Sequence, residues 1–329
     1  MKKILITGGA GFIGCHLANK LLEGNYQIDL IDNFSRGVHD RDLAVLSGNK
    51  RVNLINIDLL DPKIVEQYNT NYSYIYHLAA IIGVQHVLKS PFSVLQNNFT
   101  LLQNAICVAR RQKKLERFLF ASTSEVYAGT LDYYGIKFPT PEITPLTIGE
   151  LTRPRTSYML SKIYGEAMCY HSSLPMTIIR PHNFYGPRMG LSHVIPELMK
   201  KVMDADNGYL DVASVEHKRT FCYIEDAVKM IQLLAETTEA DGRTYNIGND
   251  DNEITMGELA HKIINLTGKS VVVNPLPPTP GSPERRLPDI SKLKKTITYN
   301  KQYSLEKGLQ ETFVWYCKNV FAGQGVSAK

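Results

Sequence analysis

Tyr158 and Lys162 stand four residues apart in "SYMLSK", so a helix there presents both on one face. A tyrosine ordinarily titrates at about 10 and is a poor base at neutral pH. An ammonium beside it favours the phenolate and lowers that value. Upstream, the apolar run "RFLFAS" gives way to Thr123, Ser124 and Glu125. Thr123 can add a hydrogen bond to the tyrosine from a strand end, while Ser124 and Glu125 can orient a substrate or relay a second proton. Such a set suits removal of a proton from an alcohol as it is oxidised. The same Tyr–Lys spacing also occurs on ordinary helix surfaces, so the surrounding elements decide.

Those elements alternate. Strand patterns cover Lys3 to Thr7, Tyr26 to Asp32, Val52 to Asp58, Tyr72 to Ala80, Arg117 to Ser122 and Met176 to Pro181. Helical patterns fall between them: Gly11 to Gly24, closed by a glycine cap, Pro91 to Arg111, and Ser157 to His171. Strands alternating with helices predict an α/β fold, a Rossmann-type doubly wound parallel sheet. From about Arg188 the pattern becomes mixed, and the Pro-rich Asn274 to Asp289 reads as a loop. The expected division is a dinucleotide-binding domain over 1–187 carrying the catalytic residues, a smaller mixed α/β substrate domain over 188–320, and a frayed tail over 321–329.

"TGGAGFIG" joins the first strand to the first helix and places Gly8, Gly11 and Gly14 at G-x-x-G-x-x-G spacing. Glycine is needed there for a tight turn, for backbone approach to a pyrophosphate, and for helix–strand packing. Phe12 and Ile13 open the helix whose free N–H groups face the phosphates. Asp32 ends the second strand 18 residues after Gly14, where a carboxylate accepts from a ribose 2′-hydroxyl and repels a 2′-phosphate. That favours NAD, although Arg36 in "DNFSRG", after Asn33, keeps NADP open. Asp58 and Leu59 are placed for the adenine edge, and Leu78, Ala79, Ala80 and Pro181 for backbone passing beneath the cofactor. A bound nicotinamide would add to the positive charge near Tyr158.

Other classes find little support. No run of 18 apolar residues exists, and "ILIT" is too short for a signal peptide, so a cytoplasmic protein without a membrane span is expected. The net charge is +5, and the basic run from Ala109 to Arg117 reads as a solvated helix end rather than a nucleic-acid site. Five scattered cysteines fit reduced thiols, and no histidine or cysteine spacing suggests a metal.

"TGGAGFIG", "DNFSRG", "HLAA", "STSEVYAG", "SYMLSK", "RPHNFYGPRM" and "KRTFCYIEDA" occur in the order found in extended short-chain dehydrogenases/reductases acting on nucleotide sugars. The chain resembles that family over roughly residues 1 to 318. The resemblance implies a Thr123–Tyr158–Lys162 catalytic set, NAD as cofactor, and a nucleotide-diphosphate sugar as substrate. It further implies that Asn183 contacts the sugar nucleotide and Arg219 the diphosphate, with Arg188 in the same region. Asn98 lies on a helix that holds active-site backbone, and homodimers form through a four-helix bundle built from the helices of Asn98 and Tyr158.

In this family Tyr158 would accept the proton of the sugar 4-hydroxyl while hydride passes from C4 to NAD. The residues after Thr123 bear on the fate of the 4-keto sugar. A 4,6-dehydratase would have an acid where Ser124 stands. A 4-epimerase needs no carboxylate there, and "AAIIGVQHV" is similar to an epimerase loop. Thr–Ser–Glu resembles UDP-glucuronate decarboxylases best, and Arg286, two residues before Pro288, matches an arginine suited to a sugar carboxylate. A salt bridge from Arg286 to Glu284 or Asp289 is the bland alternative. The chain departs from the decarboxylases at "IIGVQH", at Ala128 and at His182. A non-catalytic NAD-binding scaffold would be expected to have lost part of the catalytic set, which is complete here.

Overall fold

The computed structural model describes residues 1–68, 71–205, 208–279 and 281–322. The strands in chain order are β1 (Lys2–Thr7), β2 (Tyr26–Asp32), β3 (Val52–Asn56), β4 (Tyr72–His77), β5 (Arg117–Ala121), β6 (Met176–Pro181) and β7 (Phe184–Tyr185). They continue as β8 (Tyr209–Ala213), β9 (Lys218–Arg219), β10 (Cys222–Tyr223), β11 (Arg243–Ile247), β12 (Ile254–Thr255), β13 (Val272–Leu276) and β14 (Arg285–Arg286).

Seven strands form one parallel sheet in the order β11-β6-β5-β4-β1-β2-β3. All of β4 and β5 is buried, as expected for strands covered on both faces. Alternation divides the core: Ile4 and Ile6 enter one apolar cluster, Leu5 the other. The strand order reverses at the β1/β4 boundary, which opens a crevice at the carboxyl ends of these strands. The helices Pro91–Arg110 and Pro154–Tyr170 pack together beside the sheet, and the second carries Tyr158 and Lys162.

Several expected boundaries move. β3 stops at Asn56 and β4 at His77, so Asp58 and Leu78 to Ala80 lie on loops at the crevice. Gly24 does not cap the first helix in a left-handed turn: the helix runs Phe12–Leu21, and right-handed Leu22 caps it by donating to Ala18 O. The basic run is not wholly solvated, because Arg117 begins β5, is buried, and pairs with Asp241. The Pro-rich stretch is flanked by strand pairings of its own, β13 with β8 and β14 with β9.

A domain division at residue 187 cuts the sheet. β11 forms its edge beside β6, and the helix Ile224–Glu236 packs on the helix Phe12–Leu21. Residues 224–247 therefore belong structurally with the first half of the chain. Phe321, assigned to a frayed tail, is buried against Tyr316, and 323–329 lie outside the described residues.

Candidate active site

Gly8 turns with φ +73° and donates to Ile31 O at 2.8 Å. A Cβ on Gly8 would lie 2.9 Å from Ala79 N, and one on Gly14 would lie 2.3 Å from Gly8 O. Both distances are below any real contact, so the loop folds this way only with glycine. Gly11 precedes the helix, and no side chain caps its first N–H groups. Asp32 accepts from Ala10 N at 3.0 Å and Phe34 N at 2.8 Å, which fixes its carboxylate at the strand end. Asn33 donates to Asp58 at 3.2 Å, while buried Leu59 packs beneath. A pyrophosphate and its adenosine fit this cradle of free N–H groups and a fixed carboxylate.

Asn98 joins its helix to the loop after Ala80. Its side chain accepts from Ile81 N at 2.7 Å and donates to Ile81 O at 3.0 Å and Ser161 Oγ at 3.1 Å. The loop after Ala80 is thereby tied to the catalytic helix. Arg36 reaches across the crevice and donates to Ile82 O at 3.0 Å. Pro181 ends β6 at the same crevice.

Thr123 Oγ1 accepts from Glu125 N at 3.2 Å and lies near enough to the Tyr158 phenol to oppose the rise of its pKa. Lys162 donates to Ala121 O at 2.8 Å, and its Nζ stands 6.0 Å from the Tyr158 ring centre. Burial holds Lys162 down at about 8, against the raising influence of Cys169 and Glu166. Burial pushes the Tyr158 phenol up and the Glu125 charge adds to this, opposed by the Thr123 hydroxyl and Arg36. The expected lowering by Lys162 is not found, since its ammonium is directed at a backbone carbonyl.

Ser124 opens a 3-10 turn, Ser124–Tyr127, that brings Glu125 to Arg286 and Arg155. Glu125 Oε1 accepts from Arg286 Nη2, and Oε2 stands 3.6 Å from Arg155 Nη2. Burial works against the Glu125 charge, but Arg286, Arg155 and Arg219 outweigh it and lower its pKa. Arg286 thus pairs with neither Glu284 nor Asp289; β14 aims it at the polar triplet. Arg219 donates to Lys218 O at 2.7 Å and to Ser282 Oγ at 3.2 Å, and burial with Arg286 nearby lowers it to about 10. Asn183, in the left-handed region at φ +42°, donates to Thr220 O at 3.0 Å.

Arg188 is placed differently from the expectation. Its Nε pairs with Asp40 at 2.7 Å, and Nη2 donates to Ala10 O at 3.3 Å, so it braces the glycine loop. Arg155 went unnoticed in the sequence. The available signal was its place three residues before Tyr158, on the same helix face.

Beneath the triplet runs a buried polar chain. Ser122 Oγ donates to Glu166, and Arg180 donates to Glu166 at 2.9 and 2.6 Å and to the Tyr127 hydroxyl at 2.7 Å. Tyr127 donates to Asn246 at 2.9 Å, and Asn246 meets His182 Nε2 at 3.2 Å. Burial lowers His182 to about 3, and with Ala128 it lines a cavity of about 30 Å³. Among the described residues no three His, Cys, Asp or Glu side chains could share a metal ion, and no helix is long and apolar enough to cross a membrane.

A glycine cradle beside a Thr–Tyr–Lys set defines an enzyme of the NAD-dependent, nucleotide-sugar-modifying class. The chain belongs to the NAD dependent epimerase/dehydratase family, whose profile matches residues 4–248. It is 33% identical to UDP-N-acetyl-alpha-D-glucosaminuronate decarboxylase of Bacillus cytotoxicus, over 96% of this chain and 98% of the relative. Identity to UDP-glucuronic acid decarboxylase 1 of Xenopus tropicalis is 30%, over 97% and 73%. Among solved structures, UDP-glucose 4-epimerase of Thermotoga maritima superposes with TM-score 0.82 at 26% identity, covering 96% and 99%. UDP-glucuronic acid 4-epimerase of Bacillus cereus, solved with UDP-glucuronic acid and NAD, gives 0.81 at 27%, again covering 96% and 99%.

Proposed function

We propose that this chain decarboxylates a UDP-linked uronate, glucuronate or its 2-acetamido counterpart, through a 4-keto sugar. The observation that carries the reading is the Glu125–Arg286 pair beside Thr123 and Tyr158. The two decarboxylase relatives, which align over nearly the whole chain, support it.

Bound NAD supplies the acceptor for the C4 hydride. Gly8, Gly11 and Gly14 would hold its pyrophosphate against the helix N-terminus, and Asp32 its adenosine ribose. Tyr158 accepts the C4 hydroxyl proton, with Thr123 fixing the position of the phenol oxygen. Lys162 contributes positive charge below the ring. Oxidation at C4 makes the C5 carboxylate a β-keto acid. Breaking the C5–carboxylate bond then releases carbon dioxide and leaves its electron pair on an enolate at C4; a proton from solvent added at C5 gives a 4-keto pentose, and return of the hydride to C4, with the proton held at Tyr158, would give the UDP-pentose. Arg286 binds the departing carboxylate by a planar fork. Glu125 and Ser124 would orient the sugar carboxylate or relay a proton beside it. Asn183 and Arg219 face the nucleotide diphosphate.

Incubating the NAD-loaded protein with UDP-glucuronate or UDP-N-acetylglucosaminuronate tests this. Carbon dioxide and a UDP-pentose are expected. A galacto-configured uronate with no carbon dioxide would establish 4-epimerisation instead, the reaction named for the Bacillus cereus neighbour.

We also propose a homodimer built on the Pro91–Arg110 and Pro154–Tyr170 helices as a four-helix bundle. Phe92, Phe99, Tyr164 and Tyr170 lie exposed on these helices, and the Phe99 and Tyr164 rings meet at 5.5 Å. Light scattering checks it: Tyr164→Glu should halve the mass, and a wild-type monomer would refute the assembly.

A further inference from the structure

In the sheet, β1 lies between β2 and β4. The loops that follow β2 and β4 therefore stand on opposite sides of the glycine loop, about 10 Å apart at two strand spacings. Arg36 belongs to the first of these loops and Ile82 to the second, yet Arg36 Nη1 donates to Ile82 O at 3.0 Å. A side chain joining them has to pass over the turn from Gly8 to Phe12, where a pyrophosphate fits. The other arm of the guanidinium reaches Gly83, where a Cβ would lie 3.9 Å from Arg36 Nη2.

Both ends of this crossing are anchored, so the Arg36 side chain is the part that can swing. Gly37 fits so closely against the glycine loop that a Cβ there would stand 2.9 Å from Ala10 Cβ and 3.0 Å from Asp32 Oδ1. Val38 O accepts from Arg188 Nη2 at 3.3 Å. At the far end, Asn98 holds Ile81 N and O, and Ser161 Oγ on the helix of Tyr158. The guanidinium is also short of counter-charge. Its outer side meets solvent, but the crevice walls desolvate it and lower its pKa, and the influence that raises it is Tyr158. Burial lowers His193 on the neighbouring wall, and the Arg36 charge lowers it further. A guanidinium has several N–H donors, so one can stay on Ile82 O while others meet an anion beneath.

We propose that Arg36 is a strap over the bound cofactor: it closes across the pyrophosphate onto Ile82 O and keeps NADH in place until the hydride has returned to C4. The hydride removed from C4 is then held beside the 4-keto pentose left by decarboxylation. With the strap closed, that hydride goes back to C4, the proton held at Tyr158 goes to the C4 oxygen, and UDP-pentose leaves with NAD regenerated. Each NADH that escapes first leaves one UDP-4-keto-pentose unreduced. That choice of product rests on the uronate decarboxylation proposed above, whereas the strap itself does not.

Stopped-flow fluorescence of NADH binding to the full chain tests the strap, in about 0.5 M salt so that steering of the anionic cofactor is screened. In Arg36→Ala, dissociation should quicken about 10- to 100-fold, the range for one charge-assisted hydrogen bond. Association should quicken too, because no side chain has to swing aside. Arg36→Lys keeps the charge without the fork and should dissociate at a rate between the two. Unchanged dissociation in Arg36→Ala overturns the proposal. Faster dissociation with unchanged association also overturns it, since Arg36 is then a phosphate contact and not a strap. So does a loss confined to NADPH in a parallel titration, which would assign the guanidinium to a 2′-phosphate. Products from UDP-glucuronate and UDP-N-acetylglucosaminuronate are scored separately by mass. Arg36→Ala should move them from UDP-pentose toward UDP-4-keto-pentose, with free NADH in equal amount; an unchanged ratio despite faster NADH loss overturns the link to the product. Absence of carbon dioxide from every variant refutes decarboxylation and leaves the strap to be decided by the binding rates.

Discussion

Replacing Glu166 by glutamine should cost this protein both stability and rate, from a position that touches no ligand. Glu166 and Arg180 are each about 5% exposed, and Glu166 accepts three hydrogen bonds, two from Arg180 and one from Ser122. Glu166→Gln leaves the guanidinium buried with Tyr127 and the Glu142 carbonyl as its remaining fixed partners. Breaking a buried pair on one side costs about 3–5 kcal/mol, because an uncompensated charge stays behind. Removing both partners together, as Glu166→Leu with Arg180→Met, should recover at least half of that loss. Ser122 immediately precedes Thr123, so the single variant should also lower kcat. Urea unfolding of wild type, single and double variants gives the comparison. A single variant within about 1 kcal/mol of wild type, or a double variant less stable than the single, would refute the account of this network.

Three further outcomes follow from the same geometry. Tyr158→Phe should lower kcat by about 10²- to 10⁴-fold with NAD affinity unchanged in a fluorescence titration, and the wild-type rate should climb with pH because burial raises the pKa of its base. Gly14→Ala drives a methyl into Gly8 O and should abolish NAD binding by the same titration. His77 and His182 are both lowered to about 3 by burial, so each is held neutral in the fold. Their stabilising contribution is complete above the unfolded value of about 6.5 and is lost as pH falls from there toward 3. At pH 5 the loss is about 2 kcal/mol per histidine, measurable as a fall in unfolding free energy that His182→Leu should roughly halve.

The parallel sheet was legible because strand and helix patterns alternate along the chain and the glycine loop sits between a strand and a helix. Thr123, Tyr158 and Lys162 were legible from type and spacing. What stayed hidden was long-range. Nothing local tells that Arg243–Ile247 returns to pair with β6, since its pattern resembles its neighbours in the smaller part. Arg188 was misplaced because a motif gives a residue's neighbourhood but not the direction of a long side chain. The Glu125–Arg286 contact spans 161 residues and depends on long-range pairings, β14 with β9 and Thr140 with Pro288, that no local pattern announces. The Tyr158 shift escaped for a different reason: a spacing argument contains charges but no burial.

The late return of β11 makes the two halves inseparable as folding units. The chain leaves the sheet at β6, builds β7 to β10 on the way, and comes back to close the sheet's edge. A fragment ending at residue 187 would carry every catalytic side chain, yet expose the whole hydrogen-bonding edge of β6 as a template for its own copies. The second half of the chain could therefore not be exchanged between relatives by a cut after β6. An exchange that respects the architecture has to leave Ile224–Ile247 with the first half, treating the smaller part as two insertions on either side of one indispensable strand.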